Sequence, residues 1–151
     1  MHVNIYLTTT VKGPRRSDGE GGYILEAVYP GKDPATASVF YPVRGCNWAE
    51  STMLILKSAL QRMRVPSEIT IYLDNEYVGS VIKNGWLRKW EKDGWKNAKG
   101  ETIKNSEDWK EILYLLNEYC PEPEVIVRAK HSCKQWMEDE AQKRLKEKND
   151  V

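Results

Sequence analysis

The chain has 151 residues, of which 40% are hydrophobic and 30% charged, with a formal net charge of +1; this is an ordinary globular mixture, long enough for one domain with a sizeable core. No apolar run approaches the length of a membrane span, and the opening MHVNIYLTTT lacks the basic flank, long apolar stretch and small-residue cleavage site of a secretory leader, so a mature N-terminus is expected. Cys46, Cys120 and Cys133 are odd in number and far apart, which argues against a disulfide framework and for a reducing, cytoplasmic setting.

Val3, Ile5 and Leu7 alternate with Asn4, Tyr6 and Thr8, the period of a strand. Gly13-Pro14 and Ser17-Asp18-Gly19 mark a loop. A second strand is predicted over Tyr23–Tyr29, a turn at Pro30–Asp33 and a third strand over Thr36–Val43, pairing as an antiparallel hairpin. Met53, Leu56, Leu60 and Met63 then follow helical spacing in a helix predicted over Trp48–Met63; Leu54 and Ile55 fill other faces, so it is buried on more than one side. After Pro66, the short β-branched run Glu68–Leu73 fits a parallel interior strand. Asp74–Lys83 reads as a short helix broken at Asn84-Gly85, and Trp86–Lys92 as a second piece ended by Asp93-Gly94. Lys96–Lys104 is a polar loop, and Ser106 is placed to cap a helix over Glu107–Glu118. Pro121 and Pro123 precede a strand over Glu124–Ala129, and the last helix covers Cys133–Lys148. Three antiparallel strands followed by strand–helix crossovers predict a single α/β domain over residues 1–151, a mixed five-stranded sheet with helices on both faces. This layout names no function by itself.

The charge is unevenly distributed. Between Lys83 and Lys104 stand seven Lys or Arg and three acids, interleaved with Trp86, Trp90 and Trp95. Such a patch can follow a phosphate backbone even in a nearly neutral protein. On composition alone, a solvated helix face with its tryptophans turned to the core explains it better. No C-x2-C zinc spacing, no G-x4-GK-[ST] loop and no nucleophile-elbow signature occurs.

The segment from Ile71 to Trp109, IYLDNEYVGSVIKNGWLRKWEKDGWKNAKGETIKNSEDW, resembles type 1 ribonuclease H. In that family a strand ends in an Asp and a short helix with an aromatic follows. Then come a Trp-x3-Trp-x4-Trp-Lys run and a Lys-Asn before another Trp-bearing helix. The matching positions are Asp74, Tyr77, Trp86, Trp90, Trp95, Lys96, Lys104, Asn105 and Trp109. Gly21-Gly22-Tyr23 is similar to the start of the family's second strand, and Leu56–Met63 to its first helix.

The resemblance implies a ribonuclease H-like fold and a basic handle over about residues 84–105. It also implies Mg²⁺-dependent endonucleolytic hydrolysis of the RNA strand of an RNA/DNA hybrid. Two Mg²⁺ ions roughly 4 Å apart would clamp one phosphate, and such hard ions need oxygen ligands, which the family supplies as four carboxylates in one cleft. The handle would contact the DNA strand through Trp86, Lys89, Trp90, Lys92, Trp95, Lys96 and Lys99. The 2′-hydroxyl tells RNA from DNA at the cut.

Carried over residue by residue, the first carboxylate position falls on Thr8 and the second on Thr52. Thr10-Val11-Lys12-Gly13-Pro14 stands where the family has a Gly-rich turn. Glu50 lies two residues from Thr52, roughly 200° around a helix, and reads as solvent-facing or capping rather than as a replacement. Asp74 keeps the third position and also suits a helix N-cap. For the fourth, Glu138, Asp139 and Glu140 are candidates, with Glu138 or Asp139 fitting best; Asp74 and Asp139 are the expected metal ligands. A solvated acidic turn is the plainer account of that cluster. His131 stands where the family has a His that assists product release, after a shorter loop. The expected catalytic set is therefore Asp74, Glu138, Asp139 and His131.

Three functions are open: a nuclease, a catalytically deficient binder of hybrid or other duplex, and a protein-interaction module on the same fold. Two absent carboxylates weigh against strong catalysis, because two metals bring four charges and Asp74 with one acid brings two. The intact handle weighs against the third, so nucleic-acid binding is the favoured function.

Overall fold

The structure is a computed structural model and describes residues 1–149. Strands β1 (His2–Thr9), β2 (Ser17–Val28) and β3 (Ala35–Cys46) come first. Helix α1 (Trp48–Leu60), strand β4 (Glu68–Leu73) and helices α2 (Glu76–Lys83), α3 (Trp86–Lys92) and α4 (Ser106–Tyr119) follow, then strand β5 (Glu124–Val127) and helix α5 (Lys134–Asn149). The sheet order is β3-β2-β1-β4-β5. The first three strands pair antiparallel, while β1–β4 and β4–β5 are parallel. This is the expected mixed five-stranded sheet. Among the described residues no helix is long and apolar enough to cross a membrane.

Strand alternation puts a core on each face. Val3, Ile5 and Leu7 join Met53, Leu56, Ile71, Val78 and Trp109 in the larger core under α1, α2 and α4. Tyr6 and Ile24 pack with Met137 of α5 on the other face. Leu54 is only partly buried while Met53, Ile55 and Leu56 are fully so, because α1 crosses the sheet and also meets α4. There Lys57 reaches Asp108 at 3.0 Å and Glu111 at 3.4 Å. Gly21 lies directly beneath α1. A methyl group on Gly21 would run into Ile55 and the Thr8 carbonyl.

Several boundaries differ from the sequence expectation. Ser17-Asp18-Gly19, which reads as a loop, belongs to β2: Gly19 pairs with Val43, and the Asp18 carboxylate accepts the Gly45 N–H at 2.8 Å. Helix α1 ends three residues early, although Met63 remains buried. Asn75, not Asp74, caps α2, its side chain accepting from Val78 N–H at 2.9 Å. Ser106 is the first residue of α4 rather than its cap; Asn105 takes the cap position at φ 59° with no side-chain bond. Strand β5 stops at Val127 because Arg128 turns to φ 57° and gives its N–H to Leu73.

Candidate functional site

The parallel register of β1 and β4 sets Tyr6 opposite Tyr72. Thr8 and Asp74 each lie two residues further on, side by side at the carboxyl ends of the two strands, where open α/β sheets form their sites. Two adjoining hollows share Leu7, Thr8, Leu73 and Asp74. One is completed by Lys12, Trp48, Thr52 and Ile55. The other is completed by Tyr72, Ala129, His131, Lys134, Met137 and Glu138.

Within this cleft Asp74 is engaged by a cation. The Lys134 ammonium donates to Asp74 Oδ1 at 3.0 Å, with the two side chains 27% and 30% exposed. Lys134 and Glu138 are four residues apart on α5 and so share its cleft-facing side. Thr52 is 4% exposed, and its hydroxyl donates to the Trp48 carbonyl at 2.9 Å, a bond within its own helix. Thr8 makes no side-chain hydrogen bond among the described residues. His131 lies over Tyr6 and Tyr72, ring centroids 4.5 and 5.5 Å away, with its Nδ1 buried and unpartnered among the described residues. Burial lowers its pKa, and the nearby Lys134 ammonium adds to this against the opposing pull of Asp74 and Glu138. The imidazole packs at a tilt against the two tyrosine rings.

Asp139, expected as a metal ligand, does not line the cleft. It is exposed, accepts from Gln135 at 2.9 Å and borders Lys143 and Lys146 on the outer side of α5. One residue is about 100° of helix, which turns Asp139 away when Glu138 faces in. Glu140 is paired to Arg144 at 3.0 Å. Glu50 is committed elsewhere: it completes a capping box with Asn47 and takes two bonds from Arg16, at 2.9 and 2.8 Å. The Arg16 hydrogen bonds hold its carboxyl below the ordinary range, helped by the Asn47 N–H.

The donor set does not suit a pair of Mg²⁺ ions. Mg²⁺ needs oxygen ligands in near-octahedral array, and the cleft offers two carboxylates, one of them already holding an ammonium. Among the described residues no cluster of three or more His, Cys, Asp or Glu could hold a metal. Lys134 is the residue that sequence reasoning missed. Its i, i+4 spacing from Glu138 was the available signal.

The handle is built on tryptophans. Trp109 is fully buried in α4, Trp90 meets it edge-on at 6.1 Å, and Trp95 meets Trp90 at 6.5 Å. The chain turns sharply at Trp95, φ 62°, whose N–H bonds the Trp90 carbonyl at 2.7 Å. Trp95 is 9% exposed, and Trp90 is half-buried. Trp95, expected to touch nucleic acid, is instead a packing residue that joins the core with Trp109, and Trp90 stands between the two rings. Trp86 is 38% exposed, and Lys89, Lys92, Lys96 and Lys99 are all exposed. These five lie on the free surface of the handle, with Arg88 and Lys104 exposed beside them.

The profile of the RNase H family matches residues 11–147. A ribonuclease H of Chlorobium luteolum is 30% identical over 113 residues, 75% of this chain and 73% of that protein. A ribonuclease H of Legionella pneumophila is 31% identical over 117 residues, 78% and 77% of the two chains. Among solved structures, LC9-RNase H1, a type 1 RNase H with the type 2 active-site motif, superposes with a TM-score of 0.74 at 18% identity, covering 95% of this chain and 72% of its own. The foamy viral protease-reverse transcriptase in complex with RNA/DNA hybrid gives a TM-score of 0.67 at 15% identity, covering 93% of this chain and 18% of that one.

Proposed function

The chain belongs to the RNase H family, and from that premise we propose that it binds duplex nucleic acid, an RNA/DNA hybrid above all, with RNA cleavage impaired. The observation that carries this reading is the handle: Lys89, Lys92, Lys96 and Lys99 stand exposed on a support fixed by Trp90, Trp95 and Trp109. A rigid basic surface loses little entropy on meeting a phosphate backbone, and its affinity comes largely from released counterions. The foamy viral neighbour carries an RNA/DNA hybrid in its structure, which favours the same ligand class here.

Cleavage is a different matter. The family uses divalent metal, yet Thr8 and Thr52 carry no charge and Asp74 holds Lys134. Removing two ligands from a two-metal site removes most of what binds the ions and what stabilises the leaving oxygen. Three free, widely spaced cysteines support a reducing cytoplasm as its setting.

The test pairs binding with cleavage on one labelled RNA/DNA hybrid. Anisotropy is expected to show binding at low salt that weakens steeply as salt rises. Gel analysis with Mg²⁺ or Mn²⁺ is expected to show no cleavage above that of Asp74→Asn. No hybrid binding at low salt would end the reading. Cleavage that disappears in Asp74→Asn would keep the binding and make the protein a working nuclease.

A further inference from the structure

We propose that the Lys134 ammonium, held by Asp74 and aided by Lys12 and Thr8, is a built-in cation that receives a duplex phosphate, so that the cleft engages its ligand without divalent metal. The proposal rests on the reading that the chain binds a hybrid and says how the cleft at the ends of β1 and β4 takes part in it.

A cleft with four carboxylates is strongly negative and repels phosphate until metal ions bridge the two. In this chain the same place holds two acids, Asp74 and Glu138, and two lysines, Lys12 and Lys134. The repulsion is therefore cancelled by covalently attached charge.

Geometry adds direction. An ammonium has three donors. Lys134 uses one on Asp74 at 3.0 Å, leaving donors for a second anionic oxygen. Asp74 also orients the long side chain, so part of the rotamer entropy that a free surface lysine would lose on binding is lost beforehand. The side chain is 27% exposed, open enough to be reached and sheltered enough to be screened less than a surface lysine.

Thr8 completes the arrangement. It sits between the two hollows, and its hydroxyl has no side-chain partner among the described residues. A hydroxyl can donate to a phosphate oxygen, whereas the Asp that the family places here would repel it. Lys12, exposed at the rim of the first hollow, extends the positive charge outward along the approach. Thr52 takes no part, since its hydroxyl is bonded to Trp48.

The experiment measures binding of a labelled RNA/DNA hybrid to the full chain, in EDTA and in Mg²⁺ at matched ionic strength. Wild type is expected to bind in EDTA and to gain nothing from Mg²⁺. Lys134→Gln is expected to weaken binding in EDTA and to lower the log–log salt slope by about 0.9, one phosphate contact. Lys134→Arg keeps the charge and is expected to keep the slope, and thermal unfolding of each variant separates a folding defect from lost contact. Mn²⁺ titrated into wild type alone is expected to show no saturable site dependent on Asp74. Binding that requires Mg²⁺, an Asp74-dependent Mn²⁺ site, or a wild-type slope in folded Lys134→Gln would each overturn the proposal while leaving hybrid recognition intact. Absence of hybrid binding in both buffers would instead remove the reading on which it rests.

Discussion

Replacing Lys92, Lys96 and Lys99 together with Ala strips three of the five exposed handle lysines, leaving Lys89, Lys104 and the supporting tryptophans in place. Each phosphate contact contributes about 0.9 to the slope of log affinity against log salt on duplex DNA, so the triple variant should lose up to about 3 from that slope. Stability should hardly move. Lys96 makes one long bond, to Thr102 at 3.4 Å, and none of the three is in an ion pair among the described residues. Exposed substitutions of this kind shift stability by roughly 0.5 kcal/mol or less. Anisotropy at several salt concentrations, with thermal unfolding as the control, reads both quantities. Equal slopes for wild type and a folded triple variant would refute the assignment of the handle as a binding surface. They would leave a fold whose handle is structural and whose partner is a protein.

Trp109→Ala removes the buried end of the tryptophan series and should cost about 3–5 kcal/mol in denaturant unfolding, whereas Trp86→Ala, at a residue 38% exposed whose ring meets that of Trp90 at 6.3 Å, should cost about 1–2 kcal/mol; equal losses would contradict the packing described. Glu50→Gln keeps an amide oxygen for the Asn47 N–H of the capping box and loses the charge that meets Arg16, so it should lower stability only modestly. Because Arg16 lowers the folded pKa of Glu50, its contribution is present above the unfolded value of about 4.3 and is lost as pH falls through the lower folded value. The gap between wild type and Glu50→Gln should therefore narrow below about pH 4, and a gap that widens on acidification would reverse the assignment. Glu20 is 5% exposed, with Oε2 lacking a partner among the described residues. Glu20→Met, of similar length with no polar tip, should accordingly raise stability by about 1 kcal/mol, and a lower melting temperature would show that the carboxylate has a partner.

The fold was legible where one physical signal dominated. Glu68–Leu73 and Trp86–Lys92 match their expected bounds residue for residue, since a β-branched run between polar loops and a helix closed by Asp93-Gly94 admit few alternatives. Ser17-Asp18-Gly19 misled because turn propensity is local, while the pairing of Gly19 with Val43 is set by a strand more than twenty residues away. At the site, alternation together with strand order brings Thr8 beside Asp74, and this follows from sequence once the parallel pairing is assumed. The direction of a single helical side chain does not. Among Glu138, Asp139 and Glu140, consecutive residues leave α5 about 100° apart, and only the docking of Met137 against Tyr6 and Ile24 decides which of them faces the cleft. Lys134 had only its i, i+4 spacing from Glu138 to mark it, and that spacing selects a face only once the angle of Glu138 on the helix is known.

The changes in the cleft depend on one another. Placing Asp at Thr8 would set a carboxylate beside Asp74 and strengthen the hold on Lys134 before it attracted a metal. Placing Glu at Thr52 would demand room in a position now 4% exposed and would break the bond to Trp48. Glu50 cannot swing in, because it is tied to both Asn47 and Arg16. Removing Lys134 alone would leave Asp74 and Glu138, two carboxylates against the four charges of two metals. No single substitution among these rebuilds a two-metal centre, and several of them would weaken the neutral cleft that already exists. A duplex-binding role asks for no such rebuilding. It needs a phosphate to be tolerated beside Asp74 and a basic handle to hold the flanking strand, and Lys134 and the tryptophan-anchored lysines supply those two things.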